Sequence, residues 1–294
     1  VSIAWPHIPR ADIQLAAGAN RLSARGAFGQ PGDLLSLEID APQLAPYGLE
    51  GGLGGHFDLT GGAQGPRLAG TLNAARLGLP GVFRLSDLRL KSEGGSEPGS
   101  PLLIELNIAS LDTPDQPGLL KALQLQGKGT NQAHHLNASA EVAGKNRLAL
   151  AADGSLGNDH STWQGRLLEA GLDSADQSRN FRLSAPAPIK LTATGWSIGP
   201  IQLAGDPLDW QATVQATADA RQLQASLTAR GSRIGQVDGE LSAAMRGAWS
   251  LDRQARWQGR LKSDIADLGW LAELIGEGWQ SEGRLAGELQ LAGT

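Results

Sequence analysis

The segment from Leu208 to Gly231, LDWQATVQATADARQLQASLTARG, restricts the fold more than any other stretch of the chain. Leu208, Trp210, Ala212, Val214, Ala216 and Ala218 alternate with Asp209, Gln211, Thr213, Gln215, Thr217 and Asp219. After Ala220-Arg221 the alternation resumes at Leu223, Ala225, Leu227 and Ala229. A period of two places the apolar side chains on one face of a strand and the polar ones on the other. Two such runs joined by a tight polar link predict an antiparallel hairpin.

The same unit recurs along the whole chain. Alternation runs through Ile13-Leu15-Ala17, Leu35-Leu37-Ile39, Leu68-Leu72-Ala74, Leu85 and Leu88-Leu90, and Leu102-Ile104-Leu106-Ile108. It continues through Leu136 to Val142, Leu148-Leu150-Ala152, Leu183-Ala185, Ile189-Leu191, Val237 to Met245, Trp257-Leu261 and Leu285 to Leu291. Between these runs, Ala41–Gly55 reads as a loop, Pro80-Gly81 as a turn, and Lys91–Pro101 (KSEGGSEPGSP) as a polar hairpin tip. That tip is at most a soft break within one extended unit spanning 1–294. Asp112 to Lys121, with Pro114 and Pro117, predicts a turn containing a single helical turn. One stretch departs from the rule: Ile265, Leu268, Ala272 and Ile275 recur at helical spacing. A short amphipathic helix is expected over 266–276, capped by Asp267 and Gly276 and covering the sheet. No strict period emerges, which excludes a β-helix of fixed short rungs.

Composition narrows the function classes. Glycine numbers 40, about 14% against a usual value near 7%, and aromatics are only 4%, so a bulky globular core is not expected. The net charge of −5 is spread along the chain; no basic patch interleaved with aromatics supports nucleic-acid binding. The absence of cysteine excludes disulfides, thiolate metal sites and cysteine nucleophiles. The chain opens at Val1 and its single methionine is Met245, as expected of a fragment of a longer protein.

Candidate reactive groups resolve into local structure. His134-His135 lacks a third ligand, and neighbours on a strand point to opposite faces. Asp159-His160-Ser161 has the residue types of a triad, but consecutive positions cannot make the relay. Asp206 with Asp209, and Asp112 with Asp115, flank prolines where turns favour aspartate. Gly48–Gly55 lacks the Lys-Ser/Thr of a phosphate loop. No catalytic residue, metal site or cofactor is predicted.

What remains is the apolar face. Roughly 18 to 20 strands at about 4.8 Å spacing would extend on the order of 90 Å, and open sheets of that size curl, split or close. With one short helix to cover it, the face can meet a second sheet, close into a barrel, or curl into a trough around an apolar ligand. The 8 Trp and 1 Tyr form no girdle of the kind that marks membrane barrels. The mixture of Leu with Ala and Gly leaves room that a sandwich core would fill. On the residues alone, ordinary core, trough and barrel all stand.

TWQGRLLEAGLD (Thr162–Asp173), FRLSAPAPIKLTATGWSIGPIQLAG (Phe181–Gly205) and GRLKSDIADLGWLAELIGEGWQSEGRLAGELQLAGT (Gly259–Thr294) resemble the TamB family, specifically its middle region. The phrase is clear over the last two thirds of the chain, and the first third shares its texture. The family is similar to AsmA-like bridge proteins, and the resemblance implies an all-β fold: an elongated, curled, antiparallel-rich sheet, the β-taco or open β-solenoid groove. It further implies a conduit for phospholipid across the periplasm between inner and outer membranes, linked to outer-membrane protein assembly. It implies no enzyme activity, an inner-membrane-anchored periplasmic location, and an Omp85-type (TamA-like) outer-membrane partner held by regions outside this chain. The alternative is an adhesin- or autotransporter-like β-solenoid acting through its outer surface; a β-helix carbohydrate enzyme would need an exposed acidic cluster that is not evident.

The resemblance selects the trough. Phospholipid acyl chains are then expected to contact Leu136, Val142, Leu148, Leu150, Leu183, Ile189, Leu191, Leu208, Trp210, Val214, Leu223, Leu227, Val237, Leu241, Leu261, Leu285 and Leu289.

Overall fold

The computed structural model describes residues 7–62, 65–97, 99–142, 146–157, 161–174, 180–206, 209–232, 234–250, 256–265, 267–269 and 281–293. They form twenty strands whose pairings are all antiparallel. The chain divides into two compact units, residues 1–145 with 154–160, and residues 146–153 with 161–294.

The first unit contains β1 (Ile8–Ala17), β2 (Asn20–Phe28), β3 (Leu34–Ala41), β4 (Glu50–Gly51), β5 (Leu53–Gly62), β6 (Gly65–Leu79), β7 (Phe83–Gly95), β8 (Pro101–Asp112), β9 (Leu120–Thr130) and β10 (His134–Val142). It is a meander in which strands adjacent in sequence pair, with the short β4 joined to β6 beyond the end of β5. Register carries one apolar row across nine strands: Leu15, Leu22, Ile39, Gly55, Leu72, Leu90, Leu106, Leu125 and Ala138. A line of irregularities crosses the ladder at one height. Asp87 and Ala122 take positive φ (48° each), and the β9–β10 register shifts between Ser139 and Glu141. Such irregularities re-aim the pleat, which is why Leu85 and Leu88 share a face although three residues apart.

β11 (Asn146–Leu156) contributes residues 146–153 to the second unit. That unit otherwise contains β12 (Thr162–Asp173), β13 (Asn180–Ala185), β14 (Ala187–Thr192), β15 (Gly195–Asp206), β16 (Trp210–Asp219), β17 (Gln222–Gly231), β18 (Gly235–Ala244), β19 (Trp257–Ile265) and β20 (Leu285–Gly293). β13 and β14 share one place between β12 and β15, separated only by Pro186. The Ala-Pro-Ala-Pro phrase therefore marks a broken strand: a proline supplies no ladder donor. Opposite the break, β15 shifts register between Ile198 and Ile201, with Gly199 at φ 94°. From β15 onward the ladder is a plain meander to β20.

The predicted hairpin is β16–β17, in register from Trp210↔Gly231 to Ala218↔Leu223. Asp219 closes it, its carboxylate accepting the N–H groups of Arg221 (2.7 Å) and Gln222 (2.9 Å). Four local expectations need correction or limitation. The helical turn expected within 112–121 is absent; Thr113 and Gln116 exchange backbone bonds at 3.2 Å and Asp112 accepts the Gly118 N–H at 2.6 Å. Pro114 and Pro117 remove the donors a helical turn needs. The polar segment 91–101 is mostly strand, since β7 runs to Gly95 and β8 begins at Pro101, and within the loop at 41–55 a 3-10 turn forms over Ala45–Tyr47. The helix expected over 266–276 falls almost wholly outside the described residues.

Candidate functional site: the apolar sheet face

Register decides which side chains share a surface. In the second unit one row runs Gly165, Ile189, Ile198, Ala216, Ala225, Leu241, Gly259, Leu291. The next runs Trp163, Leu191, Trp196, Ala218, Leu223, Ala243, Trp257, Gly293. On the other side lie Ile201, Val214, Leu227, Gly239, Leu261, Leu289, and then Leu183, Leu203, Ala212, Ala229, Val237. Leu285 pairs with Ile265, and Trp210 with Gly205 and Gly231. Every predicted lining residue from Leu183 to Leu289 that the structure describes thus belongs to one face. Leu208 lies outside the described residues. Leu148 and Leu150 alternate along β11, and Leu136 and Val142 occupy the apolar rows of the first unit opposite Gly127 and Leu120.

Burial on this face is inverted relative to a packed core. Among the described residues of the second unit, the buried hydrophobics are alanines, among them Ala187, Ala212, Ala218 and Ala243, apart from Ile234 and Ile265. Several of the leucines stay open, Leu227 at 37% exposed, Leu241 at 41%, Leu285 at 48% and Leu289 at 52%, while Leu183, Ile189, Leu191, Trp210, Val214, Leu223 and Val237 are half-buried. Globular cores do the opposite, burying leucine first. In the first unit Leu15 is 58% exposed, while Phe28, Leu35 and Ile108 are buried alongside Ala11, Ala74 and Ala140. The accessible surface is 18080 Å², whereas two independent compact halves of this mass would expose about 14,000 Å² together.

Glycine and tryptophan tune the thickness of the face. A Cβ added at Gly205 would overlap the Trp210 indole, and one at Gly293 would overlap that of Trp257. Each ring lies flat across its direct cross-strand partner, as Phe57 does across Gly70 in the first unit. The arrangement shields backbone that glycine would leave bare and keeps the rings from standing up into the open space.

The opposite face is polar. A concavity of about 910 Å³ is lined by Gln215, Thr217, Gln224, Ser226, Glu240, Ser242, Gln258, Arg260 and Gln290 of the polar rows of β16–β20, together with Ala216, Ala225, Leu241, Gly259 and Leu291 of the central row. Leu223, Leu227 and Leu261, which flank its central row on the apolar side, do not line it. A second, of about 740 Å³, is lined in the first unit by Arg21, Arg25, Glu38, Asp40, His56 and Asn73. There Ser36 Oγ donates to Asp58 Oδ1 at 2.6 Å, and His56 lies 3.2 Å from Asp58 and 3.4 Å from Glu38. The bond to Asp58 holds the imidazole above its ordinary range, and the Ser36 hydroxyl holds Asp58 below the carboxylate range. Serine here serves the carboxylate and not the imidazole, so the trio cannot work as a nucleophilic relay.

The other reactive candidates stand as local structure. His134 is buried with Nδ1 3.0 Å from the Thr130 carbonyl, and His135 is exposed beside Asn137. Among the described residues no group of His, Cys, Asp or Glu is arranged to hold a metal. Asp112 serves its turn and Asp209 takes φ 46°, while Asp159-His160 lies outside the described residues. No helix among the described residues is long and apolar enough to cross a membrane.

Alternation did not reveal all of the face. Trp196 and Ile198 belong to it, but the register shift at Gly199-Pro200 breaks the count that links them to Ile201 and Leu203. The whole face of the first unit ahead of Leu136 was equally available from Leu72, Leu90 and Leu106.

Compared with known proteins, the chain matches the family model described as TamB, N-terminal domain, over residues 7–200. The match takes in the phrase at 162–200 and the first third of the chain from residue 7, but not the phrase at 259–294. No curated protein and no solved structure matches.

Proposed function

The chain belongs to the TamB family, and from that premise we propose that its apolar face carries phospholipid acyl chains through the periplasm while the head groups remain in water. The supporting observation is the inverted burial: leucines 37–52% exposed over a floor of buried alanines. Each methylene moved from water onto such a face contributes about 0.8 kcal/mol, so a sixteen-carbon chain gains roughly 12 kcal/mol. Release into water is therefore rare. Sliding is easy, because rows of equivalent Leu, Ala and Gly positions replace each contact as it is lost. The role asks for no catalytic group or cofactor. Anchoring in the inner membrane, contact with an Omp85-type outer-membrane partner, and a part in outer-membrane protein assembly fall, on this reading, to other regions of the protein.

Lipid extraction from the purified protein tests the reading. Phospholipid is expected with the wild type, and Val214→Asp or Leu227→Arg, opposite each other in register, should remove it while the β-sheet circular dichroism is unchanged. A lipid-free wild type would sink the proposal. Equal recovery from the charged variants would place the lipid elsewhere.

A further inference from the structure

We infer that uncharged turns at one end of the first unit dock the protein on the surface of a zwitterionic phospholipid bilayer, a contact separate from the acyl-binding face. β4 pairs antiparallel with β6 at Glu50↔Gly78 and Gly51↔Leu77, so the chain before Glu50 and the chain after Gly78 leave the sheet side by side. The first forms a loop closed by the Leu44 N–H donating to the Gly51 carbonyl at 3.0 Å, with the 3-10 turn Ala45–Tyr47 at its apex. The second is the β6–β7 turn, where the Val82 N–H donates to the Leu79 carbonyl at 3.0 Å. Arg84 joins the two bases, its Nε and Nη2 donating to Glu50 Oε2 at 3.3 and 3.1 Å. Buried Asn20 ties the β1–β2 turn, with Gly18 and Ala19, to the same end. Its Nδ2 donates to the Gln43 carbonyl at 2.6 Å, and its Oδ1 accepts the Gln43 N–H at 2.9 Å.

What these turns present to water is apolar. Tyr47 is 59% exposed, Val82 53% and Leu79 38%, and Ala45, Pro46, Gly48, Pro80 and Gly81 beside them are exposed as well. Among the described residues of the first unit, Tyr47 and Val82 are the exposed large hydrophobics that lie outside strands. Neither 42–49 nor 77–83 contains a charged residue or a histidine, and Glu50 and Arg84 at their bases neutralise each other. Other turns of the unit carry Gln30 and Asp33, or Thr113, Asp115 and Gln116, the polar types that turns ordinarily use.

The size and the backbone of this patch select a bilayer over a protein partner. A specific protein interface takes about 20–30 residues a side, whereas the two larger turns expose eight, 45–48 and 79–82. Insertion into a bilayer surface needs no complementary shape, because apolar transfer is non-directional. It does need backbone donors that are already satisfied. Pro46 and Pro80 have no N–H, and those of Tyr47 (2.9 Å to the Leu44 carbonyl), Gly48 (3.0 Å to that of Ala45) and Val82 bond within their own turns. Tyr47 suits the interface for a further reason: its ring lies in hydrocarbon while the hydroxyl stays among the head groups. With no charge on the turns, the attraction does not depend on anionic lipid.

The absence of cysteine allows a clean test, because Val82→Cys places one environment-sensitive fluorophore on the full 294-residue chain. Gln30→Cys, between β2 and β3 at the other end of the strands, is the control. On addition of dioleoyl phosphatidylcholine vesicles the Val82 label should shift to the blue and be quenched by doxyl-labelled lipid, with no change at Gln30. The response should persist in about 0.5 M salt. Tyr47→Ser in the labelled Val82→Cys protein should weaken vesicle affinity by about tenfold, while its circular dichroism and co-purified phospholipid match the wild type. A Val82 label that stays in water, a response at Gln30 equal to that at Val82, or a response abolished by salt refutes the docking and leaves the acyl groove standing. A lipid-free wild type whose Val82 label still responds does the reverse: the groove falls and the docking stands. A blue shift that grows with protein concentration in the absence of vesicles makes the turns a contact between two copies and overturns the lipid assignment.

Discussion

Enlarging the alanine floor separates an open trough from a packed core without introducing charge. Ala216 and Ala225 face each other across β16–β17, with Ile198 and Leu241 next in the same row. Ala216→Leu together with Ala225→Leu adds six carbons at the centre of that row. If the face were packed against another layer, each substitution would force side chains off rotamer at about 1–3 kcal/mol, or roughly 2–6 kcal/mol for the pair. On an open face the new side chains project into space occupied by solvent or lipid. The change then stays within about 0.5 kcal/mol per site, or about 1 kcal/mol in total. Urea unfolding followed by circular dichroism reads the difference directly, since these ranges do not overlap. Lipid recovered from the same variant should fall, because the leucines occupy the volume that an acyl chain would use. A destabilisation above about 2 kcal/mol would refute the open trough. Undiminished lipid on a stable variant would show that the chains do not lie along this row.

Two other outcomes follow from the polar side. Asn131, buried between the loop ends of the first unit, donates to the carbonyls of Gly95 (2.6 Å) and Glu97 (2.9 Å). Asn131→Ala should cost about 1–3 kcal/mol in urea unfolding, with lipid recovery unchanged. His56 should titrate above the ordinary histidine range by NMR, and Asp58→Asn should return it downwards. Since the folded-state value is raised, the stabilising contribution of His56 is complete below the ordinary histidine range and is lost as pH rises through the raised value. Asp58 has the opposite sign: its contribution is present above the ordinary carboxylate range and is lost as pH falls through its depressed value.

Local alternation carried the strands wherever each side chain had only one face to choose. Trp210 to Ala229 is the clearest case, because a single-residue slip would expose every apolar group. It failed where polarity stopped reporting on the face. Ser92 and Gly94 occupy apolar rows opposite Gly70 and Leu68, so a strand passes through what reads as a flexible loop. The bulge line at Asp87 and Ala122 was equally hidden: alanine does not favour positive φ, and aspartate, though enriched there, sits in ordinary strands as well. The flat Trp–Gly pairs were out of reach for another reason. Gly205 and Trp210 are close in sequence, but Trp257 and Gly293 are not, and only register sets them opposite each other. Likewise the sequence shows many small apolar residues, but whether the leucines beside them are covered is a property of the assembled sheet.

The meander has a consequence for how such a protein changes length. Except at the β13–β14 break and the short β4, each described strand pairing joins sequence neighbours. Removing or duplicating one hairpin therefore deletes or adds two rungs, roughly 9–10 Å of ladder, and leaves every other register and row intact. Span becomes a count of hairpins, adjustable in fixed steps by in-frame duplication. Because each new strand needs only the one before it, the added piece can join the sheet as it is synthesised, without waiting for a distant partner.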